Sequence, residues 1–304
     1  MKKRMASLLI GAAITAAALW LLITPEVLKD MRMVAAAANW WMLAVAVLIN
    51  PAIQWLRAWR FEMLTHGTLS APDARLVRIA FQLNFLNFVL PFRLGELGYP
   101  VLMQRAYGEP LIRSAGILLL ARLFDLCTVA AILLGTAALI GLGFTRQTTL
   151  VLWVLAAAFA LAPFGLVLGG RVATPILKRL RLLRDGALPG TSRKAQLAAV
   201  GVSFAIWFVF GGMATLTAEA VGDAISPAVA LLGTSAGNLA FALPINGIAG
   251  LGPAQAAFVA AVTRAGVAWN EAVVAALALY LVTLSGAVLF GGTLTGLPGR
   301  PQPG

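Results

Sequence analysis

The sequence is poor in the residues that most often do chemistry. It has one cysteine, Cys127, and one histidine, His66. A lone cysteine excludes an intrachain disulfide, and no Cys/His cluster exists to hold a metal. A Ser-His-Asp arrangement would have to be built around His66, which stands between basic stretches and reads as a loop residue. No G-x-x-x-x-G-K-[ST] run is present, so a P-loop ATPase is excluded. Charge is scarce as well, at 11% of residues, and acidic residues are scarcer than basic ones, 11 against 23. These absences argue against an enzyme and against a bound cofactor or metal.

What the chain has instead is apolar length. Hydrophobic residues make up 61%, and several runs reach the roughly 20 residues that a helix needs to cross a bilayer. The fold class expected is an all-α polytopic membrane protein. The net charge of +12 is then read as positive-inside bias and attraction to an anionic leaflet, not as a nucleic-acid surface. Six full spans are expected, at about 6–23, 40–56, 114–141, 149–168, 197–220 and 272–294. Trp40 and Trp41 at one end of the second, and Trp55 and Trp59 at the other, stand where interfacial anchors would. Arg57, Arg60, Arg75 and Arg78 read as a basic loop. The stretch from Arg171 to Lys194 reads as a longer one, and the tail GLPGRPQPG as disordered.

Two stretches do not read as plain spans. In FQLNFLNFVLPFRLGELGYP (81–100), Pro91, Gly95 and Gly98 break an apolar run, Arg93 and Glu96 sit in the break, and Asn84 and Asn87 lead into it. In NLAFALPINGIAGLGPAQAA (238–257), the breaks are Pro244, Gly247, Gly250 and Gly252, with Asn238, Asn246 and Gln255 alongside. Phe88-Val89-Leu90-Pro91 returns as Phe241-Ala242-Leu243-Pro244, an offset of 153 residues. The same offset carries the second span onto the fifth and the third onto the sixth. The chain therefore reads as one transmembrane domain, 1–304, made of repeat one (about 1–146) and repeat two (about 147–304). Three crossings per repeat would invert the second copy, and each broken stretch would be a re-entrant helical hairpin, tolerated where irregular backbone is buried or lines a cavity. With both termini cytoplasmic, this layout puts eighteen Lys/Arg inside and four outside, leaving Arg122 alone in a span.

Charge at membrane depth is the candidate chemistry. Arg122 and Asp125 are three residues apart on one helix face, as are Arg93 and Glu96 at the break. Such charges either neutralise each other or serve a site. In the second case Arg93 and Arg122 attract a phosphate, and Glu96 and Asp125 set their position or meet a cationic group. The asparagines and Gln255 either line a head-group path or cap backbone groups freed by the breaks. The glycines permit the turns, and half-helix N-termini past them offer N–H groups to an anion.

The residues also carry a resemblance. Asn87-Phe88-Val89-Leu90-Pro91-Phe92-Arg93-Leu94-Gly95-Glu96 resembles the N-x-L-L-P-G-R-x-G-E motif of the lysylphosphatidylglycerol synthase transmembrane-region family of flippase-like proteins. Arg122-Leu123-Phe124-Asp125 resembles its E-R-x-x-D element, and Leu243-Pro244 through Gly252 its later P-x-x-P-G-G-x-G segment. Phe92 stands where the family usually has glycine, and Gln255 near a usual glutamate. These 304 residues hold no counterpart of the soluble aminoacyl-transferase domain of two-part synthases, so lipid aminoacylation is not implied. The resemblance implies a bacterial inner-membrane protein that moves lipids between leaflets. The expected partners are anionic or zwitterionic phospholipids, with a second copy of the chain or a lipid-modifying enzyme as further candidates, and no nucleic acid. The alternatives are a secondary transporter of a small solute and a non-transporting subunit that supports a lipid-modifying enzyme.

Overall fold

The computed structural model describes residues 24–90, 95–168, 192–223, 225–242 and 251–292. The expected first span, most of the basic stretch after the fourth span, and the tail lie outside the described residues. So do Pro91, Arg93, Pro244, Asn246, Gly247 and Gly250.

Every regular element among the described residues is a helix. In chain order these are α1 (Pro25–Ala37), α2 (Trp40–Thr65), α3 (Ala74–Val89), α4 (Gly98–Tyr107), α5 (Leu111–Ile140), α6 (Arg146–Leu168), α7 (Arg193–Ala220), α8 (Pro227–Ala242), α9 (Pro253–Arg264) and α10 (Trp269–Gly286). A π-helical turn over Ala287–Gly291 prolongs α10. Five helices are long and apolar enough to cross a membrane: α2, α5, α6, α7 and α10 with its extension. The expected second to sixth spans fall on them in order, making this a multi-pass membrane protein.

Local chemistry sets the boundaries. Asn39, Asp73 and Ser192 each cap a following helix, their side-chain oxygens accepting from Met42, Leu76 and Ala195 N–H. Helices α4 and α5 end at Gly108 and Gly141, both in the left-handed region that glycine enters without strain. One expectation is corrected here. Arg57 and Arg60 are not in a loop, because α2 runs nine residues beyond the expected end of its span and carries both. Arg75 and Arg78 likewise belong to α3, and Arg193 and Lys194 open α7. An amphipathic helix end extends past the apolar run, and the run alone does not mark where the hydrogen-bond ladder stops.

Helices α2 and α7 pack together most extensively and form the centre, with α5 and α10 against them. Asn50 ties three of these together, donating to Val282 O of α10 at 3.4 Å and to Met213 Sδ of α7 at 3.7 Å. The two broken stretches each become an antiparallel pair of short helices. In α3/α4, Asp73 accepts from Tyr107 Oη at one end, and Leu83 and Leu86 meet Gly98 at the other. In α8/α9, Gly233 faces Phe258 and Val262 while Gly237 faces Ala254.

The turn after α7 holds an unusual carboxylate. Asp223 is buried, its Oδ2 has no hydrogen-bond partner, and burial, reinforced by the charge of Glu271, pushes its pKa up to about 7. An unfolded aspartate titrates near 4. The folded protein therefore holds this proton more tightly, and the contribution to stability, present at low pH, is lost as pH rises through about 7. Asp223→Asn should raise the thermal midpoint of the purified protein at pH 8 and leave it nearly unchanged only below the ordinary aspartate pKa of about 4. Packing of α8 on α9 gives a second test. A Cβ on Gly237 would lie 2.9 Å from the Ala254 carbonyl oxygen, whereas one on Gly201 meets nothing within 4 Å. Gly237→Ala should cost about 1–3 kcal/mol of stability, and Gly201→Ala should be neutral or slightly stabilising in the same unfolding assay.

Candidate functional site

Asp125 is the acceptor at the centre of the site. It sits on α5, is 7% exposed, and receives hydrogen bonds from three other side chains. Arg60 of α2 grips it with both terminal nitrogens, Nη1 to Oδ1 at 2.5 Å and Nη2 to Oδ2 at 3.1 Å. Trp207 Nε1 of α7 donates to Oδ1 at 3.1 Å. Arg122, one turn earlier on α5, donates from Nη1 to Oδ2 at 2.9 Å. Arg60 also donates to Ser203 Oγ at 3.1 Å, so α2, α5 and α7 meet in one polar cluster. Such pairing is what a low-dielectric interior demands, because a charge there costs several kcal/mol unless it is matched.

Arg122 links this cluster to the first break. Its Nε donates to Glu96 Oε2 at 2.8 Å. Glu96 stands on a short 3₁₀ turn over residues 95–97, after the end of α3. A Cβ on Gly95 would lie 2.5 Å from the Leu86 carbonyl carbon and 2.6 Å from the Asn87 nitrogen. Only glycine lets the turn lie so close on α3, and this approach brings Glu96 within reach of Arg122. Nη2 of Arg122 makes no hydrogen bond to a described residue, and the side chain is 29% exposed.

Arg122 faces two spaces. One is a polar cavity of about 140 Å³ between the two helix pairs, which Asn84, Asn87, Asn238 and Gln255 line together with Arg57. The other is a mostly apolar groove of about 570 Å³ between α4, α5 and α8, with Glu96 and Asp125 at its polar end and Leu97, Leu119 and Leu126 along it. Those three leucines are 66%, 50% and 48% exposed. Asn238 borders both spaces, as Arg122 does.

The structure thus gathers Glu96, Arg122, Asp125, Asn84, Asn87, Asn238 and Gln255 around one locus. Two of the amides also do the capping work that the sequence left open. Gln255 Oε1 accepts from Gly252 N–H at 2.8 Å at the start of α9, and Asn238 donates to the Thr234 carbonyl at 2.8 Å. Gly252 has φ of +136°, the backbone freedom expected of it. Gly98 opens α4 with Leu86 3.6 Å from where its Cβ would be, an ordinary contact.

Arg60 is the member of the cluster that the sequence did not reveal. Arg122 is not alone at depth, because Arg60, 1% exposed, is the most deeply buried charge of the cluster. The signal was present: Asn50, Gln54, Arg57 and Arg60 recur at helical spacing, a polar stripe within and beyond an apolar run.

A sequence model describing the lysylphosphatidylglycerol synthase TM region matches residues 8–291. No curated protein matches the chain.

Breaking the buried pair should be costly, because it strands a charge. Arg60→Ala should destabilise the protein by about 3–5 kcal/mol. Arg113→Ala, which removes a partly exposed pair with Glu109 and a hydrogen bond to the Thr65 carbonyl, should cost less than that, about 1–2 kcal/mol. Chemical unfolding in detergent compares the two.

Proposed function

The chain belongs to the lysylphosphatidylglycerol synthase TM-region family, and from that premise we propose that it is a lipid translocase. It moves a phosphate-bearing lipid between the leaflets of a bacterial inner membrane and catalyses no covalent step. The observation that carries the reading is the position of Arg122. Its Nε and Nη1 are held by Glu96 and Asp125, Nη2 has no described protein acceptor, and the side chain lies between a polar cavity and an apolar groove. A guanidinium oriented in this way suits a phosphate oxygen. The exposed leucines along the groove would face acyl chains, so the head group could enter the polar cavity while its tails stay in the bilayer. That sideways opening favours a lipid over a small soluble solute.

Two inverted repeats with re-entrant hairpins complete the reading, and three observations support them. The offset of 153 carries Ala74–Val89 onto 227–242, which are the bounds of α8. It carries Trp40–Thr65 onto 193–218, within α7. It also exchanges two contacts: Arg60–Ser203 becomes Met213–Asn50, and both are present. At 16, 10, 16 and 12 residues, the paired helices are each too short to cross the roughly 30 Å hydrocarbon core alone. The charge bias of the sequence puts the α3/α4 pair on the cytoplasmic side and both termini there. A lipid-modifying enzyme would supply or remove the cargo, and a second copy of the chain is the other candidate partner.

The test is leaflet exchange in proteoliposomes, read by quenching of a head-labelled phospholipid with a membrane-impermeant reductant. The protein should accelerate exchange over protein-free vesicles. Arg122→Ala should lower that rate at least about tenfold, the loss of one charge-assisted contact. Ala115→Trp, which fills the exposed wall of the groove and touches no ion pair, should slow it comparably. If neither substitution changes the rate, the lipid does not pass this site.

A further inference from the structure

Two buried polar atoms beside the Asp125 cluster have no hydrogen-bond partner among the described residues. One is Arg60 Nε, a donor on a side chain 1% exposed. Nη1 and Nη2 of the same residue are taken by Asp125 and Ser203, so Nε–H is the edge of the guanidinium that the cluster does not use. The other is Asn87 Oδ1, an acceptor near the end of α3. Both side chains line one small space of about 20 Å³ between α2, α3 and α5. Gly95 stands close by, where a Cβ would lie 2.7 Å from Asn87 Oδ1, so the bare glycine leaves that oxygen its room. Gln54, Arg57 and Asn84 are on the wall of this space and also on that of the larger polar cavity, so the two adjoin.

Buried donors and acceptors are rarely left unmade, because each unmet group keeps its full desolvation cost. A donor and an acceptor on one space of this size match a water molecule. About 10–15 Å³ is enough to hold one, and it needs about two to four polar partners. A water there accepts from Arg60 Nε–H and donates to Asn87 Oδ1. Other occupants fit less well. A phosphate or a whole head group is too large. A metal ion or an ammonium would meet the guanidinium groups of Arg57, Arg60 and Arg122 on the wall. A halide would meet the lone pairs of Asn87 Oδ1. We infer that this space is a binding site for a single ordered water that bridges Arg60 of α2 to Asn87 of α3. The bridge ties α3, the first helix of the first short pair, to the Asp125 cluster, and the adjoining polar cavity is the route by which the water enters. The inference does not depend on what the protein transports.

A structure of the full-length protein in a lipid environment at about 2 Å resolution or better tests the site directly. One peak of water density is expected within roughly 2.7–3.2 Å of both Arg60 Nε and Asn87 Oδ1. A direct bond between those two atoms, a bond from either to another residue of the chain, or a space without density overturns the inference. A peak that gains anomalous signal in bromide assigns the space to an anion and overturns it as well. Thermal unfolding gives a second readout. Ala80 lines the same space and is 3% exposed. Ala80→Ser and Ala80→Cys each add one heavy atom there and displace the water. The serine hydroxyl can take over both of its bonds, whereas a thiol is a weak donor and a weak acceptor. The midpoint of Ala80→Cys should therefore fall at least about 2 °C below that of Ala80→Ser. On a dry apolar wall the order reverses, because an unbonded hydroxyl costs more to bury than a thiol, and that order overturns the inference. A serine that merely bonds its own helix would keep its advantage in an Asn87→Leu background. The bridge requires the gap to close there, and a gap that persists overturns it.

Discussion

The structure depends on the need to neutralise charge away from water. Asp125 is where that constraint is met. Two arginines from different helices and one tryptophan from a third converge on its two oxygens. Each partner alone would carry a large desolvation cost, and the cluster holds only because all of them are present. The same bonds fix the relative positions of α2, α5 and α7, so a charge requirement becomes a packing specification. The alternative, an apolar contact of similar volume, would pack these helices at least as well. The ionic version is the one that also places Arg122, whose Nη2 bonds no described residue, on the border of two spaces.

A second constraint concerns the backbone. Every helix that stops within the apolar part of the chain leaves N–H and C=O groups to be satisfied. The short paired helices meet this with local devices. Gln255 bonds the N–H of Gly252 just before α9, and Asn238 bonds the Thr234 carbonyl one turn back. Polar residues in the breaks therefore have two roles at once, closing the helix ends and lining the cavity. The sequence left those readings as alternatives, but in the structure they are not exclusive, because a side-chain amide has both donor and acceptor sites to distribute.

How far the sequence could be read follows from these constraints. Apolar length alone located α2, α5, α6, α7 and α10, because spanning a bilayer needs a run that little else requires. The pairing of Arg122 with Asp125 was legible because both lie on one helix at a three-residue spacing. Arg60 was not, because its partners are 65 and 143 positions away and only the packing of α2 against α5 and α7 brings them together. The end of α2 was misplaced for a related reason. Charged residues there looked like a loop, yet Arg60 is inside and its neighbours Phe61 and Leu64 are buried with it. Glu96 was identified as a site residue from the break, but its bond to Arg122, 26 positions away, was not legible. The close approach that Gly95 permits brings Glu96 within reach of Arg122, while Arg93 lies outside the described residues.

The offset of 153 sets the charged positions against apolar ones. Under it, Arg57 corresponds to Phe210, Arg60 to Met213, Arg122 to Ala275 and Asp125 to Ala278. Every ionic member of the cluster on α2 and α5 thus has an apolar counterpart in the other half. Yet the second half keeps the helix layout, and Met213 keeps the contact with Asn50 that mirrors Arg60 with Ser203. The helix arrangement can therefore be held by apolar side chains at these positions. Charges that the architecture does not need in one half are not explained by architecture in the other. The one feature these charges supply that methionine, phenylalanine and alanine cannot is a held guanidinium at the junction of a polar cavity and an apolar groove.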